Sequence, residues 1–331
     1  MSMLKKIAIV TALMAAPAAA QEVVTLKYSS FLPATTVNNA ISAPALVAKA
    51  AEASGGTLKI DLFPGGSLVS GGEVQLKLVQ DGVADIAEIP LPYTPGRISG
   101  LEVFELPDMA ATNSDGSLVS LQLIDKGLIT GMEDLVALGV LQAGPYYIHM
   151  KDPITGLADL RGKKLRVSGQ TQAQIVSRLG AVPVSNIPAT SLAENVSRGL
   201  IDGALVDTGN LYNFGVGDLL KYHVTNLPLG SFAVLFGMSK ERYDALPEQA
   251  RAAIDQIKGE WYTTELGRNM DAQTAEVTAR LQAAGDHQFI ELSDADLAKA
   301  AEVLGEITQK WEGKSDKNPE ILTAARTALG K

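Results

Sequence analysis

"LRGKKLRVSGQTQAQ" runs from Leu160 to Gln174. At its centre Leu165 and Val167 flank Arg166, the pattern of a short strand entering the core of an α/β protein. "QTQAQIVSRLG" (170–180) follows as a helix that stops on Gly180. A guanidinium at the carboxyl end of a strand, just before a helix, stands where open α/β sheets bind their ligands. Outward from it, "AVPVSNI" (181–187) reads as a strand, "SLAENVSRG" (191–199) as a helix and "LIDGALVD" (200–207) as another strand. That order is β-α-β-α-β.

The same alternation occupies the N-terminal part. "VVTLKYSSFL" (23–32) is rich in β-branched and aromatic residues and predicts a strand. The stretch 38–56 predicts a helix ended by Gly55 and Gly56. "TLKIDLF" (57–63), a short helix in 72–82 and "VADIAEIPL" (83–91) complete the unit. The two units share an echo: "DGVADIA" (81–87) and "RGLIDGA" (198–204) each place an aspartate three residues after a helix-stopping glycine, just before a strand.

Residues 139–154, "GVLQAGPYYIHMKDPI", predict a strand that crosses between the units, and 230–239 predicts another strand. From Glu248 to Ala284 there is no proline, and apolar residues recur at helical spacing. At 1.5 Å per residue a continuous helix there spans roughly 55 Å, more than the ~40 Å of one domain. Gly259 and Gly267 weaken it locally. Ser293 with Asp296, and Asn318 before Pro319, mark two further helix starts.

The chain has 331 residues and no cysteine, which removes disulfides and thiolate chemistry. Its net charge is −9, unsuited to nucleic acid. "MSMLKK", the apolar "IAIVTALMAA" and "AAA" at 18–20 read as a cleavable Sec-type signal peptide over residues 1–20. The apolar run is short for the ~20 residues of a membrane span. Loss of Lys5 and Lys6 takes the charge of the mature chain, starting at Gln21, from −9 to −11. An acidic exported protein of the periplasm is expected.

Catalytic patterns are missing. His149, His223 and His287 lack metal-ligand spacing, and no nucleophile elbow, Walker loop or dinucleotide fingerprint follows a strand. No catalytic residue, metal or cofactor is assigned. An exported two-domain α/β protein of this kind is expected to bind a small solute, with Arg166 gripping a carboxylate through two parallel hydrogen bonds.

"LADLRGKKLRVSGQTQAQIVSRLGAVPV" and "GLIDGALVD" resemble the solute-binding proteins of tripartite ATP-independent periplasmic (TRAP) transporters. "LKYSSFLPATT", "SGGTLKIDLFPGGSL", "DGVADIAEIPLPYTPGRISGLEVFELP" and "MSKERYDALPEQARAAID" extend the resemblance over essentially the whole mature chain. It implies an α/β fold of the type II periplasmic-binding-protein kind: two α/β domains, crossing hinge strands and a long domain-spanning helix. The expected boundaries are 21–143 plus 232–271 for domain I and 144–231 plus 272–331 for domain II. It implies TRAP membrane permease subunits as partners and Arg166 as the residue that salt-bridges the ligand carboxylate; a monomer is expected. The chain departs from the family pattern in three places. Leu205 and Val206 stand where many members have Glu-Asn, "PYYIH" replaces a crossover arginine, and Phe232 replaces a polar residue.

These losses of polarity point to a monocarboxylate with an apolar or aromatic body, such as a 2-oxo or aromatic acid. The alternatives are a four-carbon dicarboxylate or sugar acid as ligand, a binding protein of an ATP-driven importer or sensor, and an exported hydrolase. Candidate ligand contacts are Arg166, Ser168, Gln170, Tyr93, Tyr146, Tyr147, Val206, Asp207, Phe232 and Phe31. Tyr146 and Tyr147 alternate along a strand, so at most one of them faces the cleft. Asp207 is also a plausible helix cap, and Arg97 a plausible turn brace.

Overall fold

The computed structural model describes residues 23–107, 109 and 112–331. The expected signal peptide over residues 1–20 lies outside them. In "VTLKYS" the alternation makes β1 (Val24–Ser29), with Val24, Leu26 and Tyr28 buried. A π-helical turn (Asn38–Ser42) leads into α1 (Ala43–Ala53), which Gly55 and Gly56 end at positive φ. β2 (Leu58–Phe63), α2 (Gln75–Gln80) and β3 (Ile86–Pro90) follow, and β1 pairs with β2 and β3 in parallel. Helix α3 (Asn113–Asp125) packs on β4 (Leu135–Ala143).

The chain then crosses at Gly144-Pro145 into β5 (Tyr146–Met150) of a second sheet. β6 (Lys164–Arg166), α4 (Gln170–Arg178), β7 (Val182–Val184), α5 (Leu192–Ser197) and β8 (Gly203–Asp207) repeat the parallel pattern. After β9 (Tyr222–Val224) the chain returns to the first sheet as β10 (Phe232–Ser239). Short α6 (Lys240–Asp244) precedes α7 (Glu248–Ile257) and α8 (Glu260–Ala284). β11 (Gln288–Ile290), α9 (Asp294–Glu312) and α10 (Asn318–Ala328) complete the chain.

The strand orders are β2-β1-β3-β10-β4 and β11-β9-β5-β8-β6-β7. β10 runs antiparallel between β3 and β4, and β5 runs antiparallel beside β8. The Gly-x-x-Asp echo has one physical meaning in both sheets. Asp85 accepts the Lys27 amide at 2.7 Å and Asp202 accepts the Lys164 amide at 2.7 Å. Each aspartate, following a glycine at positive φ (Gly82, Gly199), ties the start of a third strand to the first strand of its unit.

The expected continuous helix from Glu248 to Ala284 is broken. Gly259 has φ 72, which no helix interior accommodates, and its amide donates to the Leu138 carbonyl at 2.7 Å instead of continuing the ladder. The portion that connects the halves is α8, roughly 38 Å long. Near its start Tyr262 and Thr263 pack against Gly139 of β4. Further along, Asp271 accepts the Asn113 and Ser114 amides that open α3, at 2.8 and 3.1 Å. One turn on, Gln273 and Thr274 meet the 208–210 turn of the second sheet. Among the described residues no helix is long and apolar enough to cross a membrane.

Candidate functional site

The carboxyl ends of β1, β3, β6 and β8 converge on a cavity of about 60 Å³ walled by both halves of the molecule. Its one guanidinium is Arg166, the last residue of β6 and 1% exposed. Nε donates to the Ile187 carbonyl at 3.0 Å, Nη1 to the Ser168 hydroxyl at 2.5 Å, and Nη2 to the Tyr93 hydroxyl at 3.3 Å. A guanidinium has five N–H groups, so one remains on each terminal nitrogen. Among the described residues no carboxylate lies within 4.0 Å of it. A buried cation with one uncommitted N–H on each terminal nitrogen, and no counter-ion among the described residues, suits a carboxylate brought by a ligand.

The wall around the fork is aromatic. Tyr93, from the turn after β3, meets Phe31 at 6.2 Å and Phe232 edge-on at 5.6 Å. Tyr146 stacks on Phe232 at 6.3 Å with only 4° between the rings. Burial, then the nearby Asp207, raises the Tyr146 hydroxyl well above its ordinary range, so it stays a neutral donor. Arg166, Ser168, Tyr93, Tyr146, Phe232 and Phe31 therefore come together on one cavity.

Four candidates do not join them. Tyr147 points to the opposite face of β5, as strand alternation requires once Tyr146 faces the cavity. Val206 is fully buried among the apolar residues behind β8. Gln170 is exposed at the first turn of α4; Gln172, two residues on and buried, is the side chain that accepts the Ser168 amide at 2.8 Å. Asp207 is a cap: its carboxylate accepts the Asn210 amide and side chain, both at 3.0 Å. Desolvation pushes its carboxyl up to about 6. Arg97 braces a turn through an ion pair with Asp134.

The cavity also has polar residues that sequence reasoning passed over. Asn210 comes to the wall through the Asp207 cap, and so takes a polar place near β8 that Val206 does not fill. Glu88 and Asn38 line it from the first sheet. A charge inside "DIAEIP" was a legible signal of the same kind as the charge in "KKLRV". Val234 was legible too, because it shares the strand face of Phe232. Phe214 and Met270 come from a turn and from α8, and no local pattern announces them.

A comparison with protein families matches residues 30–314 to the bacterial extracellular solute-binding proteins, family 7, DctP. A solute-binding protein of Albidiferax ferrireducens is 24% identical over 323 residues, covering 92% of this chain and 91% of its own. Among solved structures, a marine-metagenome TRAP solute-binding protein specific for aromatic acid ligands, in complex with 3-hydroxybenzoate, superposes with TM-score 0.87 at 27% identity. It covers 93% of this chain and 98% of its own. A TRAP solute-binding protein of Rhodoferax ferrireducens, in complex with copurified benzoate, gives 0.86 at 25%, with the same coverage. The matched length, the two-sheet architecture and these neighbours agree: the chain belongs to the extracellular solute-binding protein family 7, the solute-binding proteins of TRAP transporters.

Proposed function

We propose that this protein captures a small monocarboxylate with an apolar or aromatic body, holds it in the interdomain cavity by Arg166, and delivers it to TRAP membrane permease subunits. The observation that carries the reading is the buried guanidinium with two unused N–H groups and no carboxylate within ion-pair distance among the described residues. The aromatic wall and the small cavity favour a planar body over a sugar acid or a second carboxylate. The neighbours crystallised with 3-hydroxybenzoate and benzoate support the same ligand class. The protein works as a carrier, exported to the periplasm by a cleaved leader over residues 1–20. Domain I then comprises 21–143 plus 232–271 and domain II comprises 144–231 plus 272–331. Phe31, Phe232 and Tyr93 face the ligand from domain I or its hinge, and Arg166, Ser168 and Tyr146 from domain II.

Closure follows from differential affinity. A carboxylate on Arg166 touches the first-sheet wall only when the halves meet, so its binding shifts the population toward the closed form. Hydrogen bonds to charged groups contribute about 1.5–3 kcal/mol each. Losing two of them in Arg166→Ala should weaken binding by roughly two to four powers of ten. Arg166→Lys should bind poorly as well, because the fork is lost. Calorimetry with benzoate tests this; near-native affinity in either variant would sink the assignment.

A further inference from the structure

The carboxylate grip makes no use of Glu88. This residue sits in the middle of β3, paired across from Phe236 of β10, and is 2% exposed. No lysine or arginine among the described residues lies within ion-pair distance of it. One of its oxygens, Oε2, accepts from the Ser30 hydroxyl and from the Asn38 amide at 3.3 Å. The other, Oε1, has no hydrogen-bond partner among the described residues, yet Glu88 lines the cavity that Arg166 enters from the opposite sheet.

The surroundings hold the side chain in place. Asn38 opens the π-helical turn before α1, a distortion that recurs at functional sites. Its amide also donates to the Tyr28 hydroxyl at 3.0 Å, and Tyr28 and Tyr262 meet at 3.4 Å. Asn39 donates to the Ser30 hydroxyl oxygen at 2.9 Å, which directs the Ser30 proton to Glu88. Burial pushes the Glu88 carboxyl up to about 7. A buried carboxyl oxygen without a donor is costly. The protein side of the network is complete, so Oε1 is the position of this carboxyl left to meet a group in the cavity.

We infer that Glu88 reads a second polar group of the ligand, a hydroxyl or amino substituent on the apolar body, which donates to Oε1 while Arg166 holds the carboxylate. The inference rests on the proposed carboxylate grip and narrows the ligand class to acids that carry such a donor. Plain apolar acids satisfy Arg166 and leave Glu88 unmet. A site built around a hydrogen bond rejects the analogue that lacks it more strongly than an apolar pocket rejects a missing methylene.

Calorimetry with benzoate, the three hydroxybenzoates and 3-aminobenzoate tests it, on the wild type, Glu88→Gln and Glu88→Leu. At least one substituted acid should bind the wild type about tenfold or more tighter than benzoate. In Glu88→Leu that preference should fall to within about threefold, and a cooperative thermal melt reports that the variant is folded. In Glu88→Gln, which keeps an acceptor for Ser30, the preference should also drop. Two results would overturn the inference: benzoate binding as tightly as every substituted acid, or an undiminished preference in Glu88→Leu. Arg166→Ala separates the two assignments. If it binds all the acids at wild-type affinity, the carboxylate grip fails, and the benzoate ratio still reads Glu88.

Discussion

At the scale of the residue, the molecule places two buried ionisable side chains, Arg166 and Glu88, on one cavity and gives neither an ion-pair partner among the described residues. For Arg166 this has a consequence in the ligand-free protein. A buried guanidinium pays a desolvation penalty that an apolar side chain of similar volume avoids. Arg166→Met is therefore expected to melt at or above the wild-type temperature without ligand, and to show no shift when benzoate is added. Thermal melts check both; a large drop in ligand-free melting temperature would mean that Arg166 has a structural role instead. Tyr93→Phe removes the hydroxyl that accepts from Nη2 at 3.3 Å but keeps the ring on Phe31 and Phe232. It should weaken benzoate binding by about a factor of ten or less, which calorimetry resolves. Arg166 was legible because a charge in an apolar strand is conspicuous. Gln170 was misplaced because the α4 phase, which turns Gln172 inward, is set by packing on the sheet.

Elements carry two further expectations. Gly259 separates α7 from α8 at φ 72 and ψ −122, a backbone region that a side chain enters at a cost of about 1–3 kcal/mol. Gly259→Ala should lower the unfolding free energy by that amount, read as a lower urea midpoint with an unchanged slope. The second concerns the edge of the second sheet, where β5, β9 and the residues before β11 bring all three histidines into one chain. His149 Nε2 contacts the Val206 carbonyl at 3.1 Å and His149 Nδ1 contacts His223 Nδ1 at 2.7 Å. His223 Nε2 meets His287 Nδ1 at 2.8 Å, and His287 Nε2 meets the Lys221 ammonium at 3.1 Å. Since a carbonyl only accepts and an ammonium only donates, every proton points the same way, from Lys221 to Val206. All three rings must be neutral. Burial holds His149 down to about 4 and His223 lower still, against 6.5 for the free group. Folded values below the unfolded one mean that this stability is full above pH 6.5 and is lost as the pH falls below it. In His149→Gln the slope of stability against pH, between about 6 and 4.5, should be smaller than wild type by about 1.4 kcal/mol per pH unit, measured by urea unfolding. Equal slopes would contradict the chain.

For the whole molecule the seam between the halves matters most. Glu105, on the 3-10 turn 99–105 of the first half, is buried against Gly169 and Thr171 at the start of α4. Burial, reinforced by Glu102, pushes its carboxyl up to about 8. A folded value above the unfolded 4.5 gives stability that is complete below 4.5 and lost as the pH rises through 8. Glu105→Gln has no such titration. Its stability relative to wild type should therefore increase from pH 5 to pH 9 in thermal melts; a constant difference would contradict a protonated Glu105 at the seam.

The sequence by itself determined the two β-α-β-α-β units, the crossing strands and the α/β class, because period-2 and helical patterning, glycine stops and Gly-x-x-Asp ties are local. It also singled out Arg166, since burying a guanidinium in a strand end needs a reason that a single strand cannot supply. Only the tertiary structure decided which face of β5 meets the cavity, that Asp207 caps while Asn210 takes the wall, that Gly259 ends one helix and frees the next, and that Glu88 shares a cavity with Arg166. Those outcomes depend on how two sheets, far apart in the chain, pack against each other, and no local period records that distance.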